Sequence, residues 1–324
     1  MAAAPALGGG LKTAARLMAV AMLLGASLAH ATVYFVNVAG LGGEPDYEQR
    51  FTALAADLDR IAKGTGTTAH VITLSGAQAT RDHLQQALSD IAGEAQADDV
   101  LVITLVGHGS FDGTQYKFNL PGPDVSAETL ASWCDRIPAT RQLIINTTSA
   151  SGGSIKALQR HDRVVIAATK SGTEKNATVF ARYWVEALQD PGADTDKNQI
   201  ITGLEAFQYA TRKTAAFYET EKRLATEHAV FEEGGSAAPV REAAANGEAG
   251  RMLGSFALVH LGSASGPEAA NDPAKLALLK QKEQLDQKID LIKYQRAAMS
   301  PEEYRSELTQ ALVQLAKVQQ ELDK

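Results

Sequence analysis

A single cysteine, Cys134, stands in a chain of 324 residues. No intrachain disulfide can form, and no zinc ribbon can be assembled from thiolates. Basic charge is also short: 31 Lys and Arg against 38 Asp and Glu leave a net charge of −7. That balance excludes a general affinity for nucleic acid or anionic lipid and suits a basic partner better. Long apolar runs are missing too. The one candidate, Leu17 to Ala29, covers 13 residues, too few for a helix to cross a hydrocarbon core of about 30 Å. Hydrophobic residues still make up 45% of the chain, so a packed core carries its stability.

The short apolar run has the features of an address. Lys12 and Arg16 precede it, and Ala29-His30-Ala31 ends it in the small-x-small pattern of signal-peptidase substrates. Cleavage is expected after Ala31, with a retained anchor as the alternative and no membrane span after cleavage. The residue directly after the site is Thr32 rather than cysteine, which argues against a lipid-anchored product. The expected location is the periplasm or the extracellular space, and the expected division is 1–31 signal peptide, 32–265 main domain and 266–324 helical module.

From Thr32 onward, β-rich runs alternate with amphipathic ones. Strands are expected over Thr32–Val38, Ala69–Leu74, Val100–Val106, Gln142–Asn146 and Val164–Ala168, and Ser255–Leu261 as a last strand. Helices are expected over Asp46–Ala62, Thr80–Ala95, Ser126–Ile137, Gly153–Leu158 and Val179–Leu188, and a long one over Leu204–His228. Glu232–Gly250, rich in Gly, Ala and Pro, reads as a mobile loop. Such alternation predicts an α/β fold, a mainly parallel sheet sandwiched by helices, with its ligand site outside the carboxyl ends of the strands. Gly40-Leu41-Gly42-Gly43 at the first strand end has the look of a dinucleotide turn, but Pro45 stands where the third glycine would fall.

Two other strand ends carry candidate chemistry. LVITLV runs into Gly107-His108-Gly109-Ser110, and QLIIN runs into Thr147-Thr148-Ser149-Ala150-Ser151-Gly152-Gly153-Ser154. A histidine between glycines at a strand tip is poorly placed for core packing, and its small neighbours let another backbone come close. It reads as a general base, against the plainer reading of a loop histidine. Cys134 lies in the Leu130-Ala131-Ser132-Trp133-Cys134 helix, where a free cysteine acts as a small apolar residue.

In these two strand ends the sequence resembles the caspase and legumain fold group of cysteine peptidases, the legumain-like branch above all. Those enzymes place His-Gly after one buried strand and Ala-Cys-x-Ser-Gly after the next. Ser151-Gly152 matches the end of that element, so Ser149 stands in the place of the nucleophilic cysteine. The resemblance runs from about Thr32 to His228, through Tyr116 to Asp124 and Lys170-Ser171-Gly172. It implies a caspase-hemoglobinase-like fold, with His108 as base, the Gly109 and Ser149 N–H groups as oxyanion donors and the Ser149 hydroxyl as nucleophile. It also implies that Thr169, Lys170 and Ser171 border the substrate pocket. Where legumains carry Asn and Arg after the first strand, this chain has Gly42 and Glu48. A hydroxyl is harder to ionise than a thiol with a pKa of about 8.5 and needs an oriented imidazole. Three functions follow as expectations: peptide-bond hydrolysis at His108 and Ser149, an inactive pseudopeptidase binding a peptide or protein partner in the same cleft, and, ranked last, peptide ligation.

A second motif has EF-hand spacing. Asp194, Asp196, Asn198, Thr202 and Glu205 offer side-chain oxygens at loop positions 1, 3, 5, 9 and 12, and the Ile200 carbonyl falls at position 7. Hard oxygen ligands suit Ca²⁺ in a structural role, although Gln199 replaces the usual turn glycine. The plainer alternative is an acidic turn in which Thr202 and Glu205 form a capping box.

After a Gly, Ser, Ala and Pro-rich stretch over 262–271 the composition changes. Leu278, Leu285, Ile289 and Ile292 form one near-heptad stripe, and Leu308, Leu312, Leu315, Val318 and Leu322 form another after Ser300-Pro301. This predicts a C-terminal helical hairpin or coiled coil, with a homodimer as one way to cover the stripes. Its 9 basic and 10 acidic residues over 266–324 argue against lipid or nucleic-acid binding.

Overall fold

The computed structural model describes residues 31–65, 68–235, 238–243, 248–261 and 299–322, Met1, and 274, 277–278, 281–282, 284–285, 288–289, 292 and 296. The expected signal segment, Met1 and Ala31 excepted, and the boundary at 265/266 lie outside the described residues. Thr32–Lys324 forms one compact unit. Among the described residues no helix is long and apolar enough to cross a membrane.

The central sheet has the order β10-β8-β7-β3-β1-β2, built from β1 (Val33–Ala39), β2 (Ala69–Leu74), β3 (Val100–Val106), β7 (Arg141–Asn146), β8 (Arg163–Ala167) and β10 (Val230–Glu233). All neighbours are parallel except β10, which runs antiparallel to β8. The apolar runs explain the sandwich. Along β3, Val100, Val102 and Val106 enter one core while Leu101, Ile103 and Leu105 enter the other, as period-2 side chains must when both faces are covered. The first core takes Phe51 and Leu58 from α1 (Pro45–Lys63), Trp184 from α5 (Phe180–Ala187) and Phe207 from α6 (Gly203–Thr220). The second takes Leu84, Leu88 and Ile91 from α2 (Arg81–Glu94), Leu130 from α3 (Ala127–Cys134) and Leu158 from α4 (Ile155–Leu158). Each such side chain contributes about 1.5–3 kcal/mol by leaving water. Cys134 is fully buried in this second core, and burial pushes its thiol up to about 11, which suits the inert role expected of it.

The amino ends of the strands hold a buried charge. Arg163 is 1% exposed and donates to Asp135, the Gln142 side chain and the Leu158 carbonyl. A guanidinium is tolerated inside only with such a set of partners.

Three expectations need correction. Ser255–Leu261 yields β11 (Ala257–His260), but this strand pairs antiparallel with β9 (Ile200–Thr202) in a separate sheet. The main sheet is closed instead by β10, half of which falls in the stretch read as a mobile loop. An antiparallel edge strand needs no crossover helix and no apolar run, and VFEE buries Val230, Phe231 and Glu232. The long helix also stops at Thr220 rather than His228.

At the carboxyl end of the chain, α8 (Pro301–Leu322) starts where Ser300 accepts a bond from the Glu303 N–H. Its Ala311 packs with Ile289 and Ile292, flanked by Tyr304, Leu308 and Leu315.

Candidate functional site

The carboxyl ends of β1, β3, β7 and β8 lie side by side. The ladder continues past them through Gly40 N–H to Val106 O (2.8 Å), Thr147 N–H to Leu105 O (3.0 Å) and Ala168 N–H to Asn146 O (3.0 Å). The His108 loop and the Ser149 loop therefore leave adjacent strands. Gly109 opens a small antiparallel sheet of β4 (Gly109–Phe111), β5 (Tyr116–Phe118) and β6 (Val125–Ser126), with β4 on its edge.

Ser149 is 3% exposed, and both hydrogen bonds of its hydroxyl go to Gly109: Oγ accepts from the Gly109 N–H (3.1 Å) and donates to the Gly109 carbonyl (3.0 Å). In an extended residue these two groups point the same way, so the hydroxyl occupies the outer edge of β4 much as a neighbouring strand would. The Gly109 N–H, expected as an oxyanion donor, is thus engaged by the expected nucleophile.

The half-buried His108 imidazole packs against α1. Its ring meets the edges of Tyr47 (4.7 Å between centroids) and Phe51 (5.1 Å) on α1. Burial lowers its pKa, while the Gly42 carbonyl, as hydrogen-bond acceptor, and the charge of Glu44 work in the opposite sense. A ring whose pKa is lowered by burial is neutral at pH 7, which is the state of a general base. Among the described residues, however, no hydrogen bond joins it to the Ser149 hydroxyl.

Several participants carried no sequence signal. The backbone of Gly42, whose N–H is held by Glu48 Oε2 at 2.9 Å, offers no side chain for a motif search to find. Asn119 pins the loop by donating its N–H to the His108 carbonyl and accepting from the Leu41 N–H, and its Oδ1 is buried without a partner. Beneath Ser149, the Tyr116 hydroxyl meets Thr148 (2.6 Å) and Asn146 (3.2 Å), and the Asn146 amide donates to Ser154. Ala150 adopts φ 57° and donates to the Glu174 carbonyl. The Glu174 carboxylate in turn contacts His228 Nδ1 at 2.5 Å.

Of the three expected pocket residues, Thr169 is fully buried, with its Oγ1 accepting from the Gly152 N–H and its N–H bonded to Ser151 Oγ. Thr169 thus joins two loops rather than facing a ligand. Lys170 is exposed and lies 3.6 Å from Glu174, and Ser171 is partly exposed, with its hydroxyl 2.7 Å from that of Thr173.

In the acidic loop, carboxylate oxygens of Asp194, Asp196 and Glu205 come within 4.8 Å of one another. Burial and the neighbouring charges of Glu205 and Asp194 push Asp196 up to about 6 although its side chain reaches solvent. Three of the six expected ligands therefore converge in a repulsive arrangement that a cation would relieve. Asn198 Oδ1 accepts from the Ile200 N–H, and Thr202 and Glu205 form a capping box at the start of α6.

No family model matches the sequence, and no curated protein matches it. Among solved structures the chain is similar to protein GSU0716 from Geobacter sulfurreducens, with 12% identity, a TM-score of 0.44 and coverage of 65% of this chain and 97% of that one. It is also similar to the Drosophila initiator caspase Dronc (12% identity, TM-score 0.40, 65% and 82% covered). A further similar structure is caspase-1 from Spodoptera frugiperda (12% identity, TM-score 0.42, 63% and 86% covered). These similarities concern the fold.

Proposed function

We propose that this chain is a pseudopeptidase: it binds an extended peptide at the carboxyl ends of β3, β7 and β8 and does not cut it. The observation that carries this reading is the pair of hydrogen bonds between the Ser149 hydroxyl and the Gly109 backbone. It removes the nucleophile's proton from the imidazole's reach and occupies an oxyanion donor at the same time. Hydrolysis needs both groups elsewhere. A binding cleft needs neither group and can use the neighbouring loops and the edge of β4 beyond Gly109, in the manner of strand addition. The net charge of −7 favours a basic peptide. The address in residues 1–31 would put that binding in the periplasm or outside the cell.

The purified chain is expected to resist a fluorophosphonate probe and to leave a mixed peptide pool intact, with or without calcium, while retaining peptides from that pool. Labelling or turnover that disappears in both Ser149→Ala and His108→Ala would instead establish a serine peptidase.

The acidic loop is proposed to hold Ca²⁺ through Asp194, Asp196 and Glu205, fixing the start of α6. A hundredfold excess of calcium over its Kd is expected to raise Tm by about 5 °C or more relative to EDTA, and Asp196→Asn is expected to abolish most of the rise. An unchanged Tm in the unsubstituted protein would leave Thr202 and Glu205 as a capping box alone.

A further inference from the structure

Beside the Ser149 loop, two glycines are glycine for reasons of space. Gly153, after β7, and Gly172, after β8, both lack the positive φ that would demand glycine. A Cβ on Gly153 would lie 2.7 Å from Phe111 Cδ2 and 3.2 Å from the Gly172 Cα, and one on Gly172 would run into the same ring at Cδ1 and Cγ. The Phe111 ring therefore packs closely against a floor of two backbones drawn from two different loops. The floor is rigid: the Gly152 N–H donates to Thr169 Oγ1 at 2.9 Å, and the Thr169 N–H donates to Ser151 Oγ at 3.1 Å. The ring is held by apolar packing alone, against the second core. Phe111 is partly exposed, ends β4, and precedes a tip in which Asp112 accepts from the Thr114 and Gln115 N–H groups.

Resting on the peptide-binding reading above, we propose that the Gly153–Gly172 slot is the cleft's side-chain subsite, that it takes a flat aromatic side chain, and that Phe111 holds its place at rest. The chemistry follows from shape. A floor without Cβ atoms offers close contact to a planar ring and less to a branched side chain. The slot lies at the Phe111 end of β4, so a peptide laid along the strand edge beyond Gly109 brings its side chains to it at strand spacing.

The test titrates N-acetyl-Lys-Ala-Phe-Ala-Lys-amide, and its analogue with Ala in place of Phe, into the full chain and into Phe111→Ala by calorimetry. Emptying the slot is expected to tighten the Phe peptide by about tenfold or more, the worth of burying an aromatic ring, and to leave the Ala peptide unchanged. Adding Gly172→Val to Phe111→Ala refills the slot and is expected to erase the gain. Phe111→Leu, which keeps an apolar side chain and so protects the fold, is expected to show a smaller gain of the same sign. Equal gains for both peptides, or none for the Phe peptide while the Ala peptide binds, overturn the subsite and leave peptide binding standing. Binding of neither peptide to any of these proteins overturns both.

Discussion

Gly109→Ala is expected to lower stability by about 3 kcal/mol, at the upper end of ordinary overpacking, and to abolish peptide binding. The added Cβ would stand 2.5 Å from the Ser149 carbonyl oxygen, 2.5 Å from Thr148 Oγ1 and 2.6 Å from Tyr116 Cε2. None of the three has room to yield. The first is backbone, the second is held by Asn146 and Tyr116, and the third belongs to a ring that is 2% exposed. Relief therefore has to come from moving β4 away from the Ser149 loop, which breaks both bonds between Ser149 and Gly109. Gly93→Ala provides the contrast. Gly93 lies in α2 with nothing within 4 Å of the added carbon and no positive φ, so alanine is expected to stabilise by about 0.5–1 kcal/mol through helix propensity. Urea denaturation of the two variants reads both signs. A Gly109→Ala protein as stable as its parent would mean that β4 and the Ser149 loop are not packed as described, and the pseudopeptidase argument would fall with that packing.

Strands buried on both faces are the part of this fold most plainly written in the sequence. VLVITLV has no polar face, so it has to lie inside a covered sheet, and the residues just past it have to lie at a carboxyl edge. That reasoning reaches His108 and Ser149 without any contact information. It fails where a residue's role depends on its neighbours in space. Glu232 and Glu233 read as loop residues, yet Glu232 is 1% exposed and Glu233 accepts from the Gly250 and Leu253 N–H groups to start the short helix α7 (Arg251–Gly254). The direction in which the Ser149 hydroxyl turns is equally illegible, because it is set by the edge of β4, a strand of three residues within a stretch that looks merely polar. Gly42 shows a third kind of silence: any residue has a carbonyl, so composition cannot mark the one that works against burial in setting the His108 pKa. The Gly153–Gly172 floor left a trace in the motif Ser151-Gly152-Gly153 and in Lys170-Ser171-Gly172, but the ring that explains those glycines sits in a different hairpin.

The second large effect is acid sensitivity centred on His260. This residue is 4% exposed on β11, its Nδ1 has no hydrogen-bond partner, and burial, aided by the charge of Lys282, lowers its pKa to about 4 against the pull of the Thr65 carbonyl. In the unfolded chain the same imidazole takes up its proton near pH 6.5. Between those values the unfolded state binds more protons than the folded one, so stability is full above about pH 6.5 and falls as the pH drops toward 4. A depression of roughly 2.5 pKa units corresponds to about 3 kcal/mol over that window. Asp196 titrates in the same range with the opposite sign. Its folded pKa of about 6 lies above the usual carboxylate value, so its protonation in the folded state adds stability as the pH falls. The measurement is therefore made in an Asp196→Asn background, comparing His260 with His260→Leu by urea denaturation from pH 7.5 to 4.5. At pH 7.5 the two are expected to agree within about 1 kcal/mol, because an apolar group replaces a ring that already has one unsatisfied nitrogen. At pH 4.5 the leucine variant is expected to be more stable by about 2–3 kcal/mol. Parallel losses in the two proteins would show that the acid-sensitive group lies elsewhere and that His260 reaches solvent.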